Sequence, residues 1–272
     1  MSWNETMAAT GFSGRIGETP PVLVAEALIK RFGGVAAVDG VSLSVRAGEI
    51  VGLIGPNGAG KTTLFDCLAG EQKPSSGRVL INGRAVESAA SDARLKDGLG
   101  RTFQVPRPFP GMTVVENVMV GAQGQSGERL WPNWLMPARV AREERAIFAR
   151  AMELLKFVAL DNLARQPARV LSGGQRKLLE IARALMAEPK VLLLDEPAAG
   201  VNPLLLKIIV ERMIEINRQG VAILVIEHNM DVIVRLCGRV FVMAAGKLLS
   251  EGRPSEVIRD PRVIDAYLGG AA

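Results

Sequence analysis

The chain has 272 residues, 33 of them basic and 28 acidic, for a formal charge of +5; a chain of this length buries about three quarters of its unfolded surface without disulfide staples. Its charges are interspersed instead of clustered, which argues for a mixed solvated surface over a face for nucleic acid or an anionic membrane surface. Cys67 and Cys237, the only cysteines, lack metal-site or disulfide spacing, no apolar run approaches the roughly 20 residues that cross a bilayer, and residues 1–19 lack a signal-peptide core, so a cytoplasmic chain in a reducing compartment is expected.

Residues 1–21 are polar, glycine-containing and aperiodic, the pattern of a flexible leader, and order is expected from Val22 onward. Val22-Leu23-Val24-Ala25 and the alternating Val41-Ser42-Leu43-Ser44-Val45 predict strands of an antiparallel layer. Between them Lys30-Arg31-Phe32-Gly33-Gly34 reads as a basic, glycine-flanked loop, in which Phe32 either stacks on a purine ring or plugs the core beneath a turn. Ile50-Val51-Gly52-Leu53-Ile54 is an apolar run of strand length, and Leu64-Phe65-Asp66-Cys67-Leu68-Ala69 has helical spacing. The stretch joining them, Gly55-Pro56-Asn57-Gly58-Ala59-Gly60-Lys61-Thr62-Thr63, fits the phosphate-binding pattern G-x-x-x-x-G-K-[ST] at every position. Glycines let such a loop wrap phosphate oxygens closely, so that backbone N–H groups and the positive end of the helix dipole converge on the anion. Lys61 adds a point charge for the outer phosphates, Thr62 the hydroxyl that ligates Mg²⁺, and Thr63 a contact from the first helical turn.

Gly77-Arg78-Val79-Leu80-Ile81, followed by Asn82-Gly83, continues the antiparallel layer into a tight turn. Leu99-Gly100-Arg101-Thr102-Phe103-Gln104 is a further strand ending on Gln104, whose amide ligates a metal, orients a water, or is simply a polar surface group. Pro106, Pro108 and Pro110 forbid regular structure, and Thr113-Val114-Val115-Glu116 is a capping box that opens a helix. A lobe boundary is expected there. Trp131 and Trp134 fall in a loop over residues 122–137, either as a partner surface or as caps on a local core. Residues 139–158 carry an apolar stripe through Val140, Ile147, Met152, Leu155 and Val158, the mark of an amphipathic helix. Ser172-Gly173-Gly174-Gln175 opens the next helix, and a serine with two glycines at a helix start makes a second anion site from free N–H groups and the helix dipole.

Val191-Leu192-Leu193-Leu194-Asp195-Glu196 is an unbroken apolar run ending in two carboxylates; burial on both faces implies a parallel sheet, whose ligands bind at the carboxyl edge. There Asp195 can hold Mg²⁺ and Glu196 can face the γ-phosphate. An amphipathic helix over residues 203–218 leads to a second buried strand, residues 221–226, which ends in Glu227 and His228. His228, the only histidine, is either a structural group or a donor to the γ-phosphate. Residues 239–243 and 247–251 around Ala245-Gly246 predict a hairpin, and short helices run on to Tyr267.

With the phosphate loop, Gln104, Leu171-Ser172-Gly173-Gly174-Gln175, Asp195-Glu196 and His228 in that order, the chain resembles the nucleotide-binding subunit of ATP-binding cassette transporters over residues 22–268. Arg31-Phe32-Gly33-Gly34, Arg101-Thr102-Phe103-Gln104, Asp195-Glu196-Pro197-Ala198-Ala199-Gly200-Val201-Asn202-Pro203 and Tyr267-Leu268-Gly269 make it similar to the branched-chain amino acid importer subgroup. The resemblance implies an α/β fold, a P-loop NTPase core with a mainly parallel sheet and an antiparallel β layer over residues 22–105 and 188–272, and an inserted α-helical lobe over residues 106–187. It implies ATP and Mg²⁺ as cofactors. Phe32 falls where the family places its adenine-stacking aromatic; residues 55–63, Gln104 and Ser172, Gly173, Gly174 and Gln175 bind nucleotide; Thr62, Gln104 and Asp195 hold the metal; Glu196, His228 and Lys61 carry the hydrolysis. The implied activity is an ATPase, peripheral on the inner face of the cell membrane, that powers an importer of branched-chain or related amino acids. Its implied partners are transmembrane permease subunits, a second ATP-binding subunit (a copy or a paralogue) and, indirectly, a solute-binding protein, with no nucleic acid. The alternative is another cassette system, for urea or amide uptake or for lipid or lipopolysaccharide extraction, which shares every catalytic motif. Asn202 stands where the family usually carries aspartate and Ala199 where serine is common, so contacts of this loop across a dimer are expected to differ in detail.

Overall fold

The computed structural model describes residues 20–125 and 137–268, so residues 1–19 of the expected 1–21 leader and the expected roles of Trp131 and Trp134 lie outside the described residues, while Pro21, expected in the leader, opens the first strand. The described chain forms two compact units, one of residues 20–104, 189–199 and 213–268, the other of residues 105–125, 137–188 and 200–212.

In the first unit, β1 (Pro21–Phe32), β2 (Val35–Arg46), β4 (Ser76–Ile81) and β5 (Arg84–Ala85) form an antiparallel sheet in the order β2-β1-β4-β5. A second sheet holds β3 (Ile50–Ile54), β6 (Leu99–Arg101), β7 (Val191–Asp195), β8 (Ala222–Ile226), β9 (Arg239–Ala244) and β10 (Lys247–Gly252). Its order is β10-β9-β3-β8-β7-β6, parallel throughout except for the β9–β10 hairpin. Every residue of β3, β7 and β8 is buried, which explains why their sequences are unbroken apolar runs. β1 continues well past Ala25 because a bulge between Ala25 and Leu28, with Ala27 at φ 46°, resets its register on β2. Phe32 therefore ends a strand instead of sitting in a loop, paired with Val35 across the Gly33-Gly34 turn.

The helix that follows β3, α1 (Lys61–Ala69), is held between the two sheets. Leu64, Phe65, Cys67 and Leu68 share one core with Leu23, Leu28 and Val41 of the antiparallel sheet and with Leu53, Leu193 and Leu224 of the parallel one. Each large side chain so buried contributes about 1.5–3 kcal/mol, and together they fix the axis of α1. Its far end is held by Arg94 on α2 (Ser91–Lys96), a residue with no solvent exposure. Arg94 Nη1 donates to the carbonyls of Cys67 (2.6 Å) and Leu68 (2.7 Å), and Nε donates to Ala89 O (3.0 Å). A helix leaves its last carbonyls without internal partners, and a guanidinium there satisfies them while meeting the negative end of the dipole. The sequence reading predicted neither α2 nor this role. The unit is completed by α7 (Met230–Leu236), α8 (Pro254–Val257) and α9 (Pro261–Leu268).

The second unit is helical: α3 (Val114–Met119), α4 (Pro137–Phe157), α5 (Gly173–Met186) and the first ten residues of α6 (Pro203–Arg218). The capping box of α3 forms as expected, with Thr113 N–H donating to Glu116 Oε2 at 2.7 Å and Glu116 N–H to Thr113 Oγ1 at 3.3 Å. Buried Asn117 then supplies the hydrogen bonds that the prolines deny the preceding loop: its Oδ1 accepts from Phe109 N–H (2.8 Å) and its Nδ2 donates to Phe109 O (3.1 Å) and Thr113 O (2.9 Å). No helix among the described residues is long and apolar enough to cross a membrane.

Candidate functional site

Between β3 and α1 the phosphate loop takes the conformation that its glycines allow. Gly55 lies at φ 148°, where a Cβ would stand 2.1 Å from Met243 O, and Gly60 at φ 98°, where a Cβ would stand 2.2 Å from Ala37 O. Backbone presses on the loop from β9 on one side and from β2 on the other, so only glycine fits at these two positions. Gly60 is the N-cap of α1 and makes no side-chain cap, so the first-turn N–H groups of the helix stay available to an anion. Lys61 is buried, and its Nζ donates to the carbonyls of Gly55 (2.8 Å) and Pro56 (2.9 Å). Burial lowers its pKa, while the charges of Glu196 and Asp195 nearby raise it. The exposed hydroxyl-bearing Thr62 and the half-buried Thr63 follow in the first turn; Asn57 and Gly58 form the exposed rim, and Ala59 O accepts from Gly246 N–H at 3.1 Å.

At the carboxyl edge of the parallel sheet, Asp195 closes β7 with 4% exposure, and the next residue, Glu196, has left the strand at φ 47°. A non-glycine residue in this region stores about 1 kcal/mol of strain or more, which persists where surrounding bonds enforce it. Here Glu196 N–H donates to Ile226 O at 3.0 Å. Its Oε2 accepts from Gln104 Nε2 at 2.9 Å, and its Oε1 lies 2.9 Å from His228 Nε2. Gln104 and His228 were expected as strand ends; instead β6 ends at Arg101 and β8 at Ile226, and both side chains reach Glu196 from the loops beyond. β6 has a single partner at the edge of the sheet, so its pairing lapses early and the chain is free to turn.

Two supporting groups escaped the sequence reading. Arg101, with a side chain 9% exposed, donates from Nη2 to Asp66 Oδ1 on α1 at 2.6 Å and lies 3.9 Å from Asp195 Oδ2, which links the phosphate helix to the acid at the end of β7. Buried Glu227 accepts from Ala198 N–H (2.6 Å), His228 N–H (3.2 Å) and Asn229 N–H (3.4 Å), so that one carboxylate fixes the loops after both β7 and β8. An arginine inside an otherwise apolar strand and an acid ending a buried strand were the only signals for them, and neither names its partner.

Ser172, Gly173, Gly174 and Gln175 belong to the helical unit, at the start of α5. The expected set of free N–H groups is reduced there by a capping box: Ser172 N–H donates to Gln175 Oε1 (2.9 Å) and Gln175 N–H to Ser172 Oγ (3.4 Å). The N–H groups of Gly173 and Gly174 are not used by the cap. Phe32 is 49% exposed, with Lys30 Nζ 4.9 Å from its ring centroid, so the structure does not bear out the core-plug reading.

The sequence pattern of the ABC transporter family matches residues 38–199, which hold the phosphate loop, Gln104, Ser172, Asp195 and Glu196. The chain belongs to the ABC transporter family. Within this family, residues 247–272 match the branched-chain amino acid ATP-binding cassette transporter pattern. A curated relative, the high-affinity branched-chain amino acid transport ATP-binding protein LivG of Salmonella typhimurium, is 40% identical over 92% of this chain and 99% of its own. The ADP conformation of an ATP-binding cassette of an ABC transporter superposes with a TM-score of 0.80 at 36% identity, covering 92% of this chain and 100% of that one. A dimeric post-hydrolysis cassette bound to ADP and Pi gives 0.71 at 26% identity, covering 85% and 98%. This is a P-loop NTPase fold, and this ABC cassette is an ATPase subunit of a transport system. The residues present also fit Mg²⁺, a hard cation that takes oxygen ligands: Thr62 offers a hydroxyl, Asp195 a carboxylate, and Gln104, whose amide nitrogen is engaged by Glu196, a carbonyl oxygen.

Proposed function

We propose that this cassette hydrolyses Mg²⁺-ATP to drive uptake of branched-chain or related amino acids through transmembrane permease subunits. It would sit peripherally on the inner face of the membrane, with a solute-binding protein supplying cargo on the other side. The name of the relative and the match over residues 247–272 support the cargo class and weigh against urea, amide or lipid systems. The observation that carries the hydrolytic part is the Glu196 carboxylate, gripped at 2.9 Å by Gln104 and by His228 close to the loop lysine.

ATP enters with its phosphates in the loop over residues 55–63. Lys61 exchanges two neutral carbonyls for anionic oxygens, and a charge-assisted bond is roughly twice as strong as a neutral one. Phe32 stacks on the adenine. Mg²⁺ on Thr62, Gln104 and Asp195 would offset the charge on the β- and γ-phosphate oxygens. Gln104 and His228 hold Glu196 aimed at the site. As they turn toward the nucleotide, Glu196 accepts the proton of the attacking water, the water oxygen bonds to the γ-phosphorus, and the bond to ADP breaks. His228 donates to the γ-phosphate oxygens. The active unit is a head-to-tail pair in which Gly173 and Gly174 N–H of one chain close on the γ-phosphate held by the other, and the helical lobe over residues 106–187 meets the permease.

The test is Glu196→Gln in the purified cassette. ATP affinity should hold within about twofold while turnover falls about 10²- to 10⁴-fold, the usual contribution of a positioned base. Near-normal turnover would remove Glu196 from that role. Proteoliposomes containing cassette, permease and solute-binding protein should accumulate leucine only with ATP; urea or lipid movement in its place would overturn the cargo class.

A further inference from the structure

β7 and β8 run parallel, with Asp195 paired to Ile226 at their carboxyl ends. Glu196 N–H then donates to Ile226 O at 3.0 Å, which carries the pairing one step beyond β7. The next tie between the two chains is a side chain. Glu227, 3% exposed, spreads its oxygens over both loops: Oε1 accepts from Ala198 N–H at 2.6 Å, and Oε2 from His228 N–H at 3.2 Å and Asn229 N–H at 3.4 Å. Asn229 in turn caps α7, its Oδ1 accepting from Asp231 N–H (3.0 Å) and Val232 N–H (3.3 Å). Only Glu227, His228 and Asn229 lie between β8 and α7, so His228 sits between two anchored neighbours.

Glu196 Oε1 and His228 Nε2, 2.9 Å apart, leave from the loops after two different strands, so their separation depends on how those loops are set against each other. Glu196 is also the residue at φ 47°. Its turn is tied on the strand side by Ile226 O and closed by Ala199 N–H donating to Glu196 O at 3.2 Å. Between these ties Ala198 is fastened to Glu227, and Glu227 is fastened to the backbone of His228. One buried carboxyl group thus bridges the backbones that carry the two members of the pair. A misplacement of about 1 Å in a reacting group can cost about 10²-fold in rate, so a bridge of this kind bears on turnover.

We propose that Glu227 is a positioning residue for hydrolysis: by tying the loop after β7 to the loop after β8, it holds Glu196 and His228 in register for attack on the γ-phosphate. The proposal rests on Glu196 and His228 acting as the hydrolytic pair and not on the identity of the cargo. Glu227 is buried and reaches the reaction only through that pair, so its loss falls on kcat and leaves nucleotide affinity in place.

Glu227→Gln in the full-length protein keeps the shape and one acceptor oxygen but puts an amide NH₂, which cannot accept, against the N–H groups of one loop. The kcat should fall about 10- to 100-fold, while KM for ATP and the dissociation constant of MgATP stay within about twofold. The same substitution is then made in a His228→Ala background, where the pair no longer exists. There it should lower the remaining kcat by less than about threefold, because two changes that act through one contact are not additive. Equal fold losses in the two backgrounds overturn the proposal, since they describe a general structural defect. So does a normal kcat in Glu227→Gln when His228→Ala is impaired, or a rise in KM that matches the loss in kcat. If Glu227→Gln does not fold, Glu227→Asp replaces it: the carboxylate is kept with a reach shorter by one methylene, and the same kcat loss at constant KM and the same non-additivity are required. Near-normal turnover in His228→Ala would refute the hydrolytic pair itself, and the proposal with it.

Discussion

Phe32, proposed to stack on the adenine, would add affinity without reading a base edge. Lys30 Nζ sits over its ring at 4.9 Å and also donates to Lys73 O at 2.9 Å, so one face of the ring carries a fixed cation. A purine stacked on the opposite face would meet a polarised π-system that every base can use. Phe32→Ala should therefore weaken ATP and GTP together, by roughly 1–3 kcal/mol, in nucleotide titrations of the folded protein. A loss confined to ATP would assign base recognition to other residues. Glu196 makes a different point at the same scale. Its place in the sequence marked it as the carboxylate facing the γ-phosphate, but neither its positive φ nor its two clamping partners is written in the residues around it. Those features arise where the loops after β6, β7 and β8 converge.

At the level of elements, α1 is the part most exposed to a single change, because its C-terminal carbonyls rely on Arg94. Arg94→Leu fills the space but leaves the carbonyls of Cys67 and Leu68 buried without a donor. An unsatisfied buried group costs about 1–3 kcal/mol, so urea unfolding should show a loss of about 2–5 kcal/mol. Arg94→Lys should recover little of it, since a point ammonium cannot reproduce the fork. The elements themselves were largely legible: β3, β7, β8, α3, α4, α5 and the β9–β10 hairpin follow from apolar period and caps, which are properties of neighbouring residues. The elements that escaped were those set by distant partners. β1 reaches Phe32 through a bulge against β2, α2 exists to carry a buried arginine to another helix, and the Arg101–Asp66 pair joins residues 35 positions apart. The same limit explains the site. Its phosphate loop, its acids and its histidine sit in recognisable local patterns, whereas Arg101 and Glu227 act only through their contacts.

For the whole molecule, the proposed pairing would make nucleotide the glue, with the γ-phosphate supplying the charge that the start of α5 would receive. With Asn57→Cys in one tagged chain and Ser172→Cys in another, both carrying Glu196→Gln, inter-chain cross-links should rise with ATP and not with ADP. Insensitivity to nucleotide would refute the shared site. The native thiols compete poorly: Cys67 and Cys237 are buried, and burial pushes their pKa values up to about 11 and about 12, so they stay protonated at working pH. The position of β3 in the sheet has a further consequence, for synthesis. Its neighbours are β8 and β9, which begin at residues 222 and 239. On the ribosome, where the N-terminus emerges first, the strand that carries the phosphate loop waits with both edges open while the rest of the chain is made. At about 5–20 residues per second that wait lasts roughly ten seconds to half a minute, during which Ile50-Val51-Gly52-Leu53-Ile54 is an apolar ribbon with nothing to pair with. Nucleotide cannot rescue the nascent chain, because the loop it would bind has not yet been given its β9 wall. The enzyme is thus safest from aggregation only once its last third has been translated.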